Sequence, residues 1–222
     1  MFNDAGYNRF NGKFYVPNEP ELNKYLGTKC KLCNRVRSNL TPFEYSMLTV
    51  TELCQHGSCI DFGNIINNLV PHWLPDDEQE SLDGLVAKNH LKTCEWNHLP
   101  NIFEPKNTYD TKINKFFISE GLNIFELIDY MPQLAFGTYL ACFVLEKDGI
   151  IEPMLFDEYI KWDTDTKQRG FAMLELLGYV KLAFWYNVSY GYYAERFHYY
   201  VFRKSIYHDF PEVKDYYEYL DL

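Results

Sequence analysis

Cys30-Lys31-Leu32-Cys33, followed by Cys54-Gln55-His56-Gly57-Ser58-Cys59, is the stretch on which the reading of this chain turns. A two-residue gap lets two thiolates face one tetrahedral ion, and a second pair of cysteines further on can supply the remaining ligands. Four thiolates, Cys30, Cys33, Cys54 and Cys59, or three with His56, close a structural zinc site and leave no open position for catalysis. A thiol is also a small hydrophobe, so burial without metal is the competing reading. Cys94-Glu-Trp-Asn-His98 adds a thiol and an imidazole about one turn apart. They can complete the same site, form half of another, or be core and surface residues. Cys142, amid Leu140, Phe143 and Val144, is expected to be buried.

Outward from the cysteines, residues 1–29 are polar and rich in Asn, Gly and Pro, as in an extended arm with little regular structure. The first clear helix is predicted after the first cysteine pair. Thr41-Pro42-Phe43-Glu44 combines a capping hydroxyl, a proline at the first helical position and a glutamate three residues after the cap. Phe43, Met47, Val50 and Leu53 or Cys54 then share a face, and Gly57 supplies a stop, which delivers Cys54 at the helix end. Asn64 to Trp73 is a second apolar segment, and the acidic run from Pro75 to Glu80 is a solvated loop or a helix start. Leu99 to Lys106, with its prolines and asparagines, is the candidate boundary between domains at 1–105 and 106–222.

Beyond that boundary, Ile124 to Tyr130 is predicted helical and stops before Pro132. Thr138 to Glu146 is expected as a strand, Asp148-Gly149 as a hairpin turn, and the residues from Ile150 as its partner, confined to an edge by Pro153. A charged loop, Asp163 to Arg169, leads to Gly170, where an apolar helix is expected through at least Leu177. Val180, Leu182 and Phe184 alternate as a strand does. Pro211 to Leu220 is expected as a short amphipathic helix.

The chain of 222 residues is 47% hydrophobic and 18% aromatic, ample for a packed core. Its 21 basic and 31 acidic residues give a net charge of −10, and the sequence pI is about 5.1. That balance disfavours extensive nucleic-acid binding, which needs clustered positive charge. Lys29, Lys31, Arg35 and Arg37 interleave with the first cysteine pair as in zinc modules that touch phosphate, although solvation of a surface is the favoured reading. An acidic surface suits a basic protein partner such as a lysine-rich tail. No basic region precedes an apolar run at the N-terminus and no stretch approaches a membrane span, so an intracellular location, cytoplasmic or nuclear, is expected. Six cysteines in a reducing compartment favour metal ligation over disulfides. The dense rings from Tyr179 to Tyr207 can form a stacking platform for bases, but acidic charge and strand periodicity favour core and interface.

Lys167-Gln168-Arg169-Gly170-Phe171-Ala172 places a basic residue before Gly-x-Ala at an expected helix start, an order in which backbone amides can face a pyrophosphate. The segment is similar to the coenzyme A loop of GNAT-fold acetyltransferases, with Lys167 where Gln or Arg is usual. Arg169, Glu175, Leu176-Leu177-Gly178-Tyr179, Gly191 to Ala194, Tyr200-Val201-Phe202 and Val213-Lys-Asp-Tyr216-Tyr217 follow an order that resembles the CREB-binding-protein type of histone acetyltransferase. The resemblance covers about the last third of the chain. It implies acetyl-CoA as cofactor, with Lys167, Arg169, Gly170 and Ala172 around the coenzyme phosphates and Tyr193 near the coenzyme. It also implies Tyr217 as the acid that protonates departing thiolate. Gly170, Met173, Tyr193 and Glu212 depart from the family's threonine, tyrosine, tryptophan and arginine.

The expectation is therefore an α+β chain, with a zinc-stapled helical N-terminal module and a mixed-sheet, GNAT-like C-terminal half. Two functions follow from it. One is an acetyl-CoA-dependent N-acetyltransferase acting on lysine of a basic protein. The other is a non-enzymatic zinc-containing interaction protein, a viral or host-regulatory factor, holding a protein partner on its aromatic surface.

Overall fold

A computed structural model describes residues 14–17, 27–36, 39–53, 70, 72–94, 112–189 and 192–207. Helices and small antiparallel sheets make an α+β protein. The chain divides into two compact units, Met1–Gly137 and Thr138–Leu222, and the division falls inside one helix, Gln133–Leu145. The boundary expected at 105/106 lies outside the described residues.

The first unit contains β1 (Phe14–Pro17), α1 (Thr28–Val36), α2 (Pro42–Leu53), α3 (Pro75–Ala87), β2 (Leu91–Cys94), α4 (Lys112–Ser119), α5 (Ile124–Tyr130) and the start of α6 (Gln133–Leu145). Helix α2 begins where its sequence dictates. Glu44 N–H donates to Thr41 Oγ1 at 3.1 Å while Thr41 N–H donates to the Glu44 carboxylate at 2.7 Å, a reciprocal pair that satisfies two otherwise orphaned donors. Met47, Val50 and Leu53 are fully buried as expected, and so are Tyr45, Leu48, Thr49 and Thr51. The two threonines bury their hydroxyls by donating back to Tyr45 and Met47 carbonyls. In α3, Pro75 opens the helix with Asp76, Asp77 and Glu78 in its first turn, where acidic charge complements the helix dipole. The acidic run is thus a helix start. Trp73 donates its indole N–H to Met131 O at 3.0 Å. Gln133 donates to Phe43 O and Ser81 Oγ, both at 3.0 Å.

Two expectations for this unit are corrected. The N-terminal arm contains β1, which pairs antiparallel with β2 from Phe14↔Cys94 to Pro17↔Leu91. A helix also precedes α2, because the cysteine pair lies inside α1. Leu32 and Val36 of that helix are buried, and its Arg35 makes a two-pronged ion pair with Glu52 of α2.

In the second unit, the rest of α6 is followed by β3 (Ile150–Ile151), α7 (Pro153–Tyr159), α8 (Thr164–Leu176), β4 (Val180–Ser189) and β5 (Tyr192–Val201). The strand expected over Thr138–Glu146 is helix. Every residue from Leu134 to Val144 lies in α6, and all but Gly137 and Thr138 are buried hydrophobics; a helix apolar all round carries no period to separate it from a buried strand. Asp148-Gly149 does form the turn, with φ of 55° and 76°, and Lys147 and Ile150 exchange hydrogen bonds across it. Ile150 and Ile151 then pair with Tyr200 and Tyr199 rather than with 138–146. Pro153 opens α7 instead of limiting an edge strand, since its fixed φ suits a first helical position.

Strands β4 and β5 pair in unbroken register from Val180↔Val201 to Ser189↔Tyr192, giving the order β3-β5-β4. Phe156, Phe171 and Tyr199 fasten α7, α8 and β5 together, with ring centroids 5.0 Å and then 4.3 Å apart. Tyr139 donates to Phe202 O at 2.8 Å and is edge-on to Tyr179.

Candidate functional site

Helix α8 starts at Thr164, six residues before Gly170. Asp163 is its cap: the carboxylate accepts from Thr166 N–H at 2.8 Å and from Thr166 Oγ1 at 2.6 Å. Those hydrogen bonds hold the Asp163 carboxyl below the usual carboxylate range. The expected loop Asp163–Arg169 is therefore the first two turns of the helix. Lys, Gln and Arg are good helix formers, and a cap placed before them is enough to start it. Lys167 N–H already donates to Asp163 O at 3.1 Å. The amides of 168–172 lie deeper still, within the intrahelical ladder, whereas an anion at a helix end needs N–H groups of the first turn. In α8 that turn faces the carboxylate of its own cap.

The side chains of the motif diverge. Gly170 is buried, and a Cβ there would lie 2.3 Å from Thr138 Oγ1, so the glycine exists to let α8 approach α6. Ala172 is exposed. Lys167 pairs with Asp157 of α7 at 2.6 Å, and Arg169 lies 3.7 Å from Asp165, one turn back on its own helix. Tyr193 lies in β5, opposite Val188. Tyr217 is outside the described residues. The structure thus brings Gly170 to Thr138, and does not bring Gly170 and Ala172 to one surface.

Of the expected metal ligands, Cys30 and Cys33 both stand on α1, three residues apart and so on neighbouring positions of one helix face. Cys33 is half-buried. Cys54, His56, Cys59 and His98 lie outside the described residues, and Cys94 ends β2. Among the described residues no group of three or more His, Cys, Asp or Glu side chains is placed to hold a metal ion. Cys142 is buried as expected, and burial pushes its thiol up, away from the thiolate form.

Among the described residues, β4 is an edge of the second unit's three-stranded sheet: it pairs with β5 on one side and with no strand on the other. Phe202 N–H donates to Tyr179 O at 2.9 Å, which sets the phase of the ladder. Alternation then turns the N–H and C=O of Leu182, Phe184, Tyr186 and Val188 away from β5. A second observation fixes the same phase: Leu182 N–H donates to the Glu175 carboxylate of α8 at 3.1 Å. Glu175 therefore closes one end of the edge. The ten residue pairs run without a bulge and β4 contains no proline. Bulges and prolines are devices by which sheet edges are usually blunted.

Sequence reasoning left the end of the Gly170 helix open because Val180, Leu182 and Phe184 alternate as a strand does; it gave neither the phase of β4 nor the role of Glu175. Asp163, a residue favoured at helix N-caps and followed by two helix turns of polar residues, was the available signal for α8. No protein-family model, curated protein or solved structure matches this chain. No helix of the described residues is long and apolar enough to cross a membrane.

Proposed function

We propose that this chain is a non-enzymatic interaction protein that holds a protein partner. The observation that carries the reading is the edge of β4 that no strand pairs among the described residues, where outward N–H and C=O groups can be satisfied by an added strand. The acetyltransferase reading depends on a loop that could cradle a pyrophosphate, and the position of Lys167–Ala172 inside α8 counts against it. A zinc ion on Cys30, Cys33, Cys54 and Cys59 belongs to the same proposal. The placement of Cys30 and Cys33 on one helix face supports it, and the ion would act as a staple of the first unit, with no part in chemistry.

Calorimetry tests the choice. Acetyl-CoA and free coenzyme A, each titrated into metal-replete protein, are expected to give no saturable heat. A saturable heat from either overturns the interaction reading in favour of the acetyltransferase, with Arg169→Glu the first variant to examine. Elemental analysis of protein purified without chelator is expected to find bound zinc. Metal-free protein removes the ion and leaves the interaction reading standing.

A further inference from the structure

We infer that the partner on the β4 edge is a second copy of this chain, paired antiparallel across a two-fold axis at Tyr186. The inference rests on the interaction reading above and names its partner. Because Glu175 already holds Leu182 N–H, the outward positions left on the edge are Phe184, Tyr186 and Val188. These three are symmetric about Tyr186. A two-fold axis there sets Phe184 against Val188 of the second copy, Tyr186 against its own counterpart, and Val188 against Phe184 of the second copy. Each pair exchanges both N–H···O=C bonds. Every N–H and C=O of these three residues finds a partner, and the ladder stops where Glu175 stands.

Charge fits the same register. The chain carries −10, which opposes self-association at long range, but β4 contains one charged residue in ten, Lys181. With the axis at Tyr186, the Lys181 positions of the two copies fall at opposite ends of the seam, so no like charges meet across it. An antiparallel edge is its own complement under two-fold symmetry, and two copies close the contact without leaving a further edge to propagate.

Sedimentation of the full chain over a micromolar concentration series is expected to show a monomer–dimer equilibrium. That equilibrium should strengthen as salt screens the repulsion of two acidic chains. Tyr186→Pro removes an N–H that faces away from β5, so it spares the β4–β5 ladder, as prolines on edge strands do. It should abolish the dimer while the far-ultraviolet circular dichroism is kept. Tyr186→Cys supplies a second readout. Its copies would sit at a hydrogen-bonded pair, about 5.5 Å between Cα atoms, within disulfide range. Mild oxidation should yield a covalent dimer, and Lys181→Cys or the unaltered chain should not. A chain that stays monomeric throughout, or that dimerises equally well as Tyr186→Pro, overturns self-pairing. Failure of the interaction reading would show separately, as coenzyme heat.

Discussion

Helices α2 and α8 both begin with a side chain that accepts from a backbone amide three residues further on, yet the two starts are anchored differently. At α2 the hydroxyl of Thr41 and the carboxylate of Glu44 satisfy each other's amides, and Glu44 is buried, with Lys88, the C-cap of α3, 2.6 Å from its carboxylate. At α8 the Asp163 carboxylate accepts from Thr166 and is open to solvent. The cap of the first start is tied to a residue beyond its own helix; the cap of the second bonds within its own first turn. What lets α8 come close to α6 is instead a missing side chain, at Gly170. A helix can be tied by what its first turn binds or brought close by what its middle lacks.

Substitution at Gly170 is the hardest blow to that contrast. Gly170→Ala drives a Cβ to within 2.3 Å of Thr138 Oγ1, and Thr138 is a fully buried, β-branched residue with little room to turn. A loss of about 1–3 kcal/mol is expected, as for overpacking generally. Chemical denaturation of Gly170→Ala, and of the double variant with Thr138→Ala, measures it. The double variant should recover part of the loss, because the two residues collide with each other. A Gly170→Ala protein of unchanged stability would mean that the glycine serves a ligand and not the packing.

Glu44→Ala follows in size, at about 1–2 kcal/mol, since it removes a cap and its charge-assisted bond from a buried position. Glu44→Gln keeps an acceptor for Thr41 N–H and should lose less. Equal losses for the two would assign the whole effect to the ion pair with Lys88.

The acid response tests the first unit without touching a cap. Burial holds the His90 imidazole below its ordinary 6.5, with the Arg35 cation adding in the same direction and Glu44 opposing. Above 6.5 the ring is neutral in both states and contributes nothing. Below it the unfolded chain takes up the proton first, so stability falls until pH passes the folded value. Melting temperatures from pH 7.5 to pH 5 should therefore decline more steeply for the native chain than for His90→Gln. Parallel curves would show that His90 is not the group responsible.

Asp163→Ala is expected to have the smallest effect, a slight fall in melting temperature at neutral pH. The folded value of Asp163 is depressed, so its contribution is present above 3.8 and fades as pH drops through the lower folded value. The native and variant proteins should accordingly converge in strong acid. A fall as large as that of Glu44→Ala would erase the distinction between the two helix starts.

These contrasts also show what the chain made legible. Thr41-Pro42-Phe43-Glu44 announced α2 because every group of the cap lies within four residues, and Ile124 to Tyr130 and Asp148-Gly149 were readable for the same local reason. Thr138 to Glu146 misled because a buried helix needs no polar face, so its run of Leu, Ala, Phe and Val looks the same in either conformation. Pro153 was ambiguous because its φ suits an edge strand and a first helical turn alike. The site was less legible than the fold. Gly170 invited a phosphate reading until Thr138, far back in the sequence, was found against it. The phase of β4 depends on its register with β5 and on Glu175, which no local pattern encodes.

The order β3-β5-β4 also separates early from late pairing as the second unit assembles. Strands β4 and β5 meet across a two-residue connection and can zip within microseconds of each other's formation, as hairpins do. Strand β3 reaches β5 only by closing the span from Ile150 to Tyr200, within which α7 and α8 must both find their places. Chain entropy opposes that closure far more than it opposes the hairpin, with about 0.6 kcal/mol added at each doubling of loop length. The hairpin is thus complete while its sheet is not, and the β4 edge is presented to other chains from the first moments of folding.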